Sequence, residues 1–170
     1  MFQVKKKNLR RSITNTKTVN ADFRNAVYTM LRTITANELQ ITYQVEGAIL
    51  EQLPDGYREH YVPDGFELVD RYEDSRTVVH TYKDAESGRN CIVVYEVIQE
   101  AGQSFAFGIR NSGYSVEWRS GIEFLQKEYE DENGYRSYTL FWEESGIAHT
   151  VMGEMEIDEL YRIAESICAP

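Results

Sequence analysis

Tyr135-Arg136-Ser137-Tyr138-Thr139-Leu140-Phe141-Trp142-Glu143-Glu144-Ser145-Gly146-Ile147-Ala148-His149-Thr150-Val151-Met152 reads as two strands and a turn. The flanks are rich in aromatic and β-branched residues, which suit a pleated, half-buried surface. Glu144-Ser145-Gly146 between them is a short turn, and a loop that short joins strands that pair antiparallel. Immediately downstream the period changes: Leu160, Ile163, Ala164 and Ile167 recur at helical spacing, which predicts a helix over 157–167. Strand, turn, strand, helix is the signature of an antiparallel sheet that carries an amphipathic helix.

Working upstream, Asn133-Gly134 is a pair favoured in two-residue hairpins. Short strands are predicted at 104–110, 114–119 and 122–129. Before them lie 90–99, with the β-forming core Ile92-Val93-Val94-Tyr95, and then 76–83 and 66–72. Pro54-Asp55-Gly56 and Pro63-Asp64-Gly65 mark turns, because proline pre-sets φ and glycine accepts a positive one. Leu39, Ile41, Tyr43 and Val45 alternate with polar residues and predict a strand. Phe23, Ala26, Val27, Met30, Leu31 and Ile34 fall at helical spacing behind Asn20 or Asp22 as caps, which predicts a helix over 20–34. The expected fold is α+β, an antiparallel meandering β-sheet packed by an N-terminal and a C-terminal helix. Residues 1–17 read as a flexible basic arm and 18–170 as a single domain.

The composition of the 170 residues, 42% apolar and 27% charged, is that of a folding chain and not of a disordered one. The net charge of −10 is unevenly spread: the first twenty residues carry Lys5, Lys6, Lys7, Arg10, Arg11 and Lys17 and no acid, leaving 12 basic and 28 acidic groups on the remainder. A body of charge −16 repels a phosphate backbone, which excludes nucleic acid as its partner. No stretch approaches the ~20 apolar residues of a spanning helix. The basic start is followed by Ser12-Ile13-Thr14-Asn15-Thr16 and not by the apolar region of a signal peptide. Taken as complete the chain reads as cytoplasmic; taken as a fragment, as the soluble part of something anchored upstream. Cys91 and Cys168 form no CxxC pair; each reads as a small buried hydrophobe, and spacing leaves their pairing open.

A search for chemistry returns little. His60, His80 and His149 are scattered and lack the spacing of zinc ligands, so a structural role is expected, with His80 and His149 on strands and either half-buried or solvated. There is no GxSxG elbow, Walker loop or dinucleotide fingerprint. Acids gather at expected hairpin tips: Asp84 and Glu86, Glu128 to Glu132, and Glu143-Glu144. They read as solvated turns, and Glu130-Asp131-Glu132-Asn133-Gly134 lacks the ~12-residue pattern of a calcium loop. No catalytic, cofactor or metal residue is assigned. Tyrosine is in surplus, 12 against 7 phenylalanines and 2 tryptophans. Tyr43, Tyr72, Tyr82, Tyr95, Tyr129 and Tyr138 read as β-formers with wet hydroxyls, the surplus hinting at a binding face.

The stretch Phe141–Gly153 followed by Asp158–Ile167 resembles the closing signature of a bacterial family, domain-of-unknown-function family 4367. Tyr61-Val62-Pro63-Asp64-Gly65-Phe66 is similar to that family's opening step, and Arg24-Asn25-Ala26-Val27 to a short helix often upstream of it. The resemblance covers about residues 60–168 and departs at Ala148-His149, where the family usually has an aromatic, and at Glu156 in place of a better helix cap. It implies no activity. It implies an extracytoplasmic module of a Gram-positive-type bacterium, commonly behind a membrane helix and sometimes on anti-sigma-factor-like proteins. The expected function is therefore a non-enzymatic binding or sensing module without a cofactor. Its expected partner is a protein or cell-envelope component, with the arm against an anionic membrane surface. The alternative is a carrier of a small lipid or peptide, with an apolar pocket under a curved sheet, and the least favoured reading a carboxylate-dependent hydrolase. Trp142, Leu160, Ile163 and Ile167 are expected core, and Pro63 and Gly65 a fixed turn.

Overall fold

A computed structural model describes residues 14–18, 27–35, 38–54, 57, 60–99, 102–108 and 114–167. Two antiparallel sheets and one helix make three layers. The larger sheet has seven strands: β4 (Phe66–Glu73), β5 (Thr77–Asp84), β6 (Asn90–Val97), β8 (Ser115–Arg119), β9 (Ile122–Glu130), β10 (Arg136–Glu144) and β11 (Ile147–Gly153), in the order β4-β5-β6-β11-β10-β9-β8. The smaller has four, β1 (Thr14–Thr18), β2 (Val27–Ile34), β3 (Glu38–Glu46) and β7 (Ser104–Gly108), in the order β1-β2-β3-β7. The helix α1 spans Ile157–Ile167, with Asp158 and Glu159 in its first turn where the dipole favours them.

The hairpin that opened the sequence reading sits at the middle of the larger sheet. Trp142 faces His149 across β10 and β11, and β11 pairs on its other side with β6. Ser145 and Gly146 both have positive φ, 55° and 82°, as a two-residue turn that follows strand twist requires. The meander is therefore broken, first between β3 and β4, which belong to different sheets, and again after β6. After β6 the chain leaves to add β7 to the smaller sheet, and returns as the run β8 to β11 that closes back on β6. The Asn133-Gly134 turn is longer than its dipeptide suggests, spanning 131–135, because Asp131 binds the amides of Asn133 and Tyr135 and widens it.

The expected N-terminal helix is not there. Residues 27–34 are strand β2, paired with β3 from Val27↔Glu46 to Ile34↔Leu39, and residues 20–26 lie outside the described residues. The true period is two. Tyr28 and Arg32 turn into the protein, and Arg32 is buried because it meets Glu123 of β9. A buried arginine reads as surface in a hydropathy pattern, so the helical spacing of Met30, Leu31 and Ile34 was the wrong signal. Residues 14–17, placed in the arm, belong to β1; residues 1–13 lie outside the described residues.

Alternation along the central strands fills two cores. Leu140, Trp142, Ile147, Val151, Val93 and Phe124 point one way, onto Leu160, Ile163, Ala164 and Ile167 of α1. Leu125, Phe141 and Ala148 point the other way, onto Tyr28, Leu39, Ile41 and Tyr43 of the smaller sheet. In the segment 47–65, which links the two sheets, the described residues Leu50, Leu53, Tyr61 and Val62 seat on the α1 side of the larger sheet, against the first core. It ends where Phe66 donates its amide to the carbonyl of Pro63 and Gly65 takes φ of 88°. Among the described residues no helix is long and apolar enough to cross a membrane.

Candidate functional site

The three histidines that lie 20 and 69 positions apart in sequence converge on one patch of the larger sheet. His80 and Tyr82 share a face of β5, since side chains repeat every second residue. Tyr95 of β6 and His149 of β11 are opposite each other in register, and Trp142 of β10 lies opposite His149 in turn. His60 comes from the 47–65 segment and drops onto this row. Its Nδ1 is 2.6 Å from the Tyr95 hydroxyl and its Nε2 3.0 Å from the Tyr82 hydroxyl. That hydroxyl is 3.3 Å from Nδ1 of His80, whose Nε2 is 2.8 Å from Oε1 of Glu73 on β4. His60 and His80 stack at 5.5 Å, and His149 lies almost parallel on Trp142 at 4.7 Å.

The surroundings are dry: His149 and Tyr95 are fully buried and His80 nearly so. Both strand histidines are thus inside, not half-buried or solvated, and the hydroxyls of Tyr82, Tyr95 and Tyr43 are not wet. Burial, with His80 adding to it, lowers the His60 imidazole to about 4. Burial lowers His149 to about 3. Burial likewise pushes the Tyr82 phenol and the Cys91 thiol up to about 12 each. The pairing of Cys91 with Cys168 is beyond description, since Cys168 lies outside the described residues. No group of three or more His, Cys, Asp or Glu among the described residues is arranged to hold a metal ion.

A second feature is open to solvent. At one end of the larger sheet the β5–β6 turn, the β9–β10 turn and the β11–α1 link enclose a cleft of about 660 Å³. Arg89 stands on one wall, Tyr135, Arg136 and Tyr138 on the other, and Glu154 and Glu156 with Met155 form the floor. The walls are stiff because the tip acids are turn anchors and not merely solvated charge. Asp84 accepts from the amides of Glu86 and Ser87 and from Nη2 of Arg89, and the Arg89 contact above all holds its carboxyl well below the usual range. Asp131 accepts from the amides of Tyr135 and Asn133, which lower it in the same way, the Tyr135 bond most. Tyr135 is 74% exposed at the rim.

No residue of either feature was assigned from sequence. The acids at 84 and 131 were noticed, but as surface charge. The histidines were noticed and dismissed on spacing. The one signal available in advance was the pair His80 and Tyr82 on a common strand face, and it acquires meaning only once His60 is known to reach it.

The family model described as "Domain of unknown function (DUF4367)" matches residues 56–167, which holds the three histidines, Tyr82, Tyr95 and the whole cleft. No curated protein and no solved structure matches the chain.

Proposed function

The chain belongs to the domain of unknown function family DUF4367, and from that premise we propose that it is a non-enzymatic binding module that takes an extended peptide segment of a partner protein into the cleft between its turns. The observation that carries this is a cleft of about 660 Å³ whose two walls are pre-organised by Asp84 and Asp131. Its size is within the usual range for ligand sites. Tyr135 and Tyr138 offer aromatic area at little entropic cost. The remaining N–H groups of Arg89 and Arg136 and the carboxylates of Glu154 and Glu156 match the alternating carbonyls and amides of a peptide backbone.

Two observations favour this over the other readings. Between the two sheets the apolar space lined by Leu39, Phe107, Tyr114, Leu125 and Phe141 is only about 10 Å³, room for a single water and not for a lipid tail. Glu96, a carboxylate that burial raises, lies on the face toward the smaller sheet and accepts from Gln103, away from the cleft. The proposal includes the setting that the resemblance implies: an extracytoplasmic module of a Gram-positive-type bacterium, with the arm against anionic lipid.

The test is selection of random decapeptides on the domain, followed by amide chemical-shift mapping of the selected peptides. Micromolar binders that shift Gly88, Gly134 and Glu154, and that Tyr135→Ala weakens about tenfold, are the expected result. Binders that map to the edge strands β4 or β8, or no enrichment at all, would remove the proposal.

A further inference from the structure

The polar chain on the α1 side of the larger sheet has a direction. Glu73, as a carboxylate, only accepts, so Nε2 of His80 carries hydrogen, and in the neutral ring Nδ1 does not. Nδ1 of His80 then accepts from the Tyr82 hydroxyl, whose oxygen is free to accept from Nε2–H of His60. Nδ1 of His60 in turn accepts from the Tyr95 hydroxyl. With both imidazoles neutral, four hydrogens meet four acceptors. The chain has no place for a fifth proton. On His60, itself half-buried, it would set an N–H against the O–H of Tyr95, which is fully buried. On His80 it would turn the chain round, His80 Nδ1–H donating to Tyr82, Tyr82 to Nε2 of His60 and His60 Nδ1–H to Tyr95, and leave the buried Tyr95 O–H unmatched. Either leaves a buried donor without an acceptor.

We infer that this chain is a proton-sensing clasp: neutral, it pins the 47–65 segment across the sheet, and protonation of His60 releases that segment. Among the described residues, the groups around His60 hold no carboxylate in contact with its ring. The 47–65 segment contributes Tyr57, β5 His80 and Tyr82, β6 Tyr95 and Cys91, β11 His149 and β10 Trp142. From β4 come Glu73, already engaged by His80, and Arg71, a cation opposite His80 in register. The helix presents apolar residues to this core, and its Glu159 and Arg162 are taken by Tyr61 and by each other. The lowering of His60 to about 4 agrees with this geometry.

The consequence follows from linkage. A released segment carries an ordinary imidazole, near 6.5, so opening gains a proton between pH 6.5 and 4 and docking is favoured above that window. Besides His60 the segment is held by polar contacts that do not titrate there. The amide of Leu53 donates to Ser75, the Glu51 carbonyl accepts from Arg76, and the amide of Tyr61 donates to Ser166. Since the segment joins β3 to β4, its release slackens the link between the two sheets and uncovers the apolar face under Leu50, Leu53 and Val62. This goes beyond the binding reading and does not depend on it.

Hydrogen exchange of the full chain, corrected for intrinsic rates, tests the clasp. The open fraction, read from the amides of Leu53 and Tyr61, is expected to rise severalfold between pH 7.5 and 5, up to the limit of about thirtyfold that a shift between 6.5 and about 4 sets. Val151 and Phe141 should keep their protection over that range. Imidazole ¹⁵N spectra of the wild-type protein at pH 7.5 should show hydrogen on Nε2 and not on Nδ1 of both His60 and His80. A segment whose protection does not change with pH, a loss shared equally by Val151 and Phe141, or a folded-state His60 titrating near 6.5 would each overturn the inference.

Discussion

On the α1 side of the seven-stranded sheet the polar groups are imidazole and phenol rings, His60, Tyr82, His80 and Tyr95, that pass hydrogen bonds toward one carboxylate at the border. On the opposite side, under the smaller sheet, they are ions: Arg32 of β2 against Glu123 of β9, with Glu143 beside Tyr28 and Tyr43. Both arrangements lie in a dry interior, and each leaves a polar atom without a hydrogen bond, the Tyr43 hydroxyl on the ionic side and the Trp142 indole N–H on the other, but they respond differently to acid. An imidazole chain fails when one proton is added in mild acid. An arginine–carboxylate pair keeps its charges until the carboxylate itself is protonated. The link that must move lies on the histidine side, and the sheet-to-sheet contact that must hold is built on the ion pair.

The comparison can be broken most forcefully at its ionic side. Glu123→Gln leaves the Arg32 guanidinium buried without a counter-charge and is expected to cost about 3–5 kcal/mol in chemical denaturation, whereas Arg32→Met with Glu123→Leu should come within ~1 kcal/mol of wild type. On the other side, Trp142→Ala removes the ring between Phe124 and His149 and should cost roughly 3–5 kcal/mol. A variant melting like wild type would take Trp142 out of the core.

Acid should separate the sides next. His60 and His149 have folded values lowered to about 4 and about 3, so stability is fully present above about 6.5 and declines as pH falls toward those values. At pH 5 the loss is on the order of 2 kcal/mol for each fully shielded imidazole and less for the half-buried His60. Urea midpoints at pH 7.5 and 5 measure it, and His149→Phe should reduce the difference. A smaller effect is expected at the contact between the sheets. A methyl at Gly146 would run into the ring and hydroxyl of Tyr28 at a residue with φ of 82°, so Gly146→Ala should destabilise by about 1–3 kcal/mol. Smallest of all, Tyr135→Ala at the exposed rim of the cleft should change stability by less than about 0.5 kcal/mol while weakening peptide binding.

The hairpin β10–β11 and the helix α1 were legible because each buries one face at its own period, so local pattern and final position agree. Strand β2 was not, because Arg32, its most informative inward residue, is charged and finds its partner 91 positions away. The split into two sheets was equally hidden. Nothing local in Ser104–Gly108 says that it pairs with Thr42–Glu38 and not with its sequence neighbours. In the candidate sites the residues were visible one at a time, as a lone histidine, a surplus tyrosine or a turn acid. Their relations were not, since hydrogen bonds between His60, Tyr82 and Tyr95 depend on a loop landing across three strands.

Sequence alone determined what is short-ranged about this protein: strands from alternation, turns from Ser-Gly and Pro-Asp-Gly, one helix from its apolar stripe, and family membership from the pattern these make together. Register, the second sheet, the joining of His60 and His80 in one hydrogen-bonded chain and the stacking of His149 beside it were decided only by the tertiary structure. Propensity and periodicity act over a few residues. The pairing of an imidazole with a phenol 35 positions away is selected by what the whole core leaves unsatisfied.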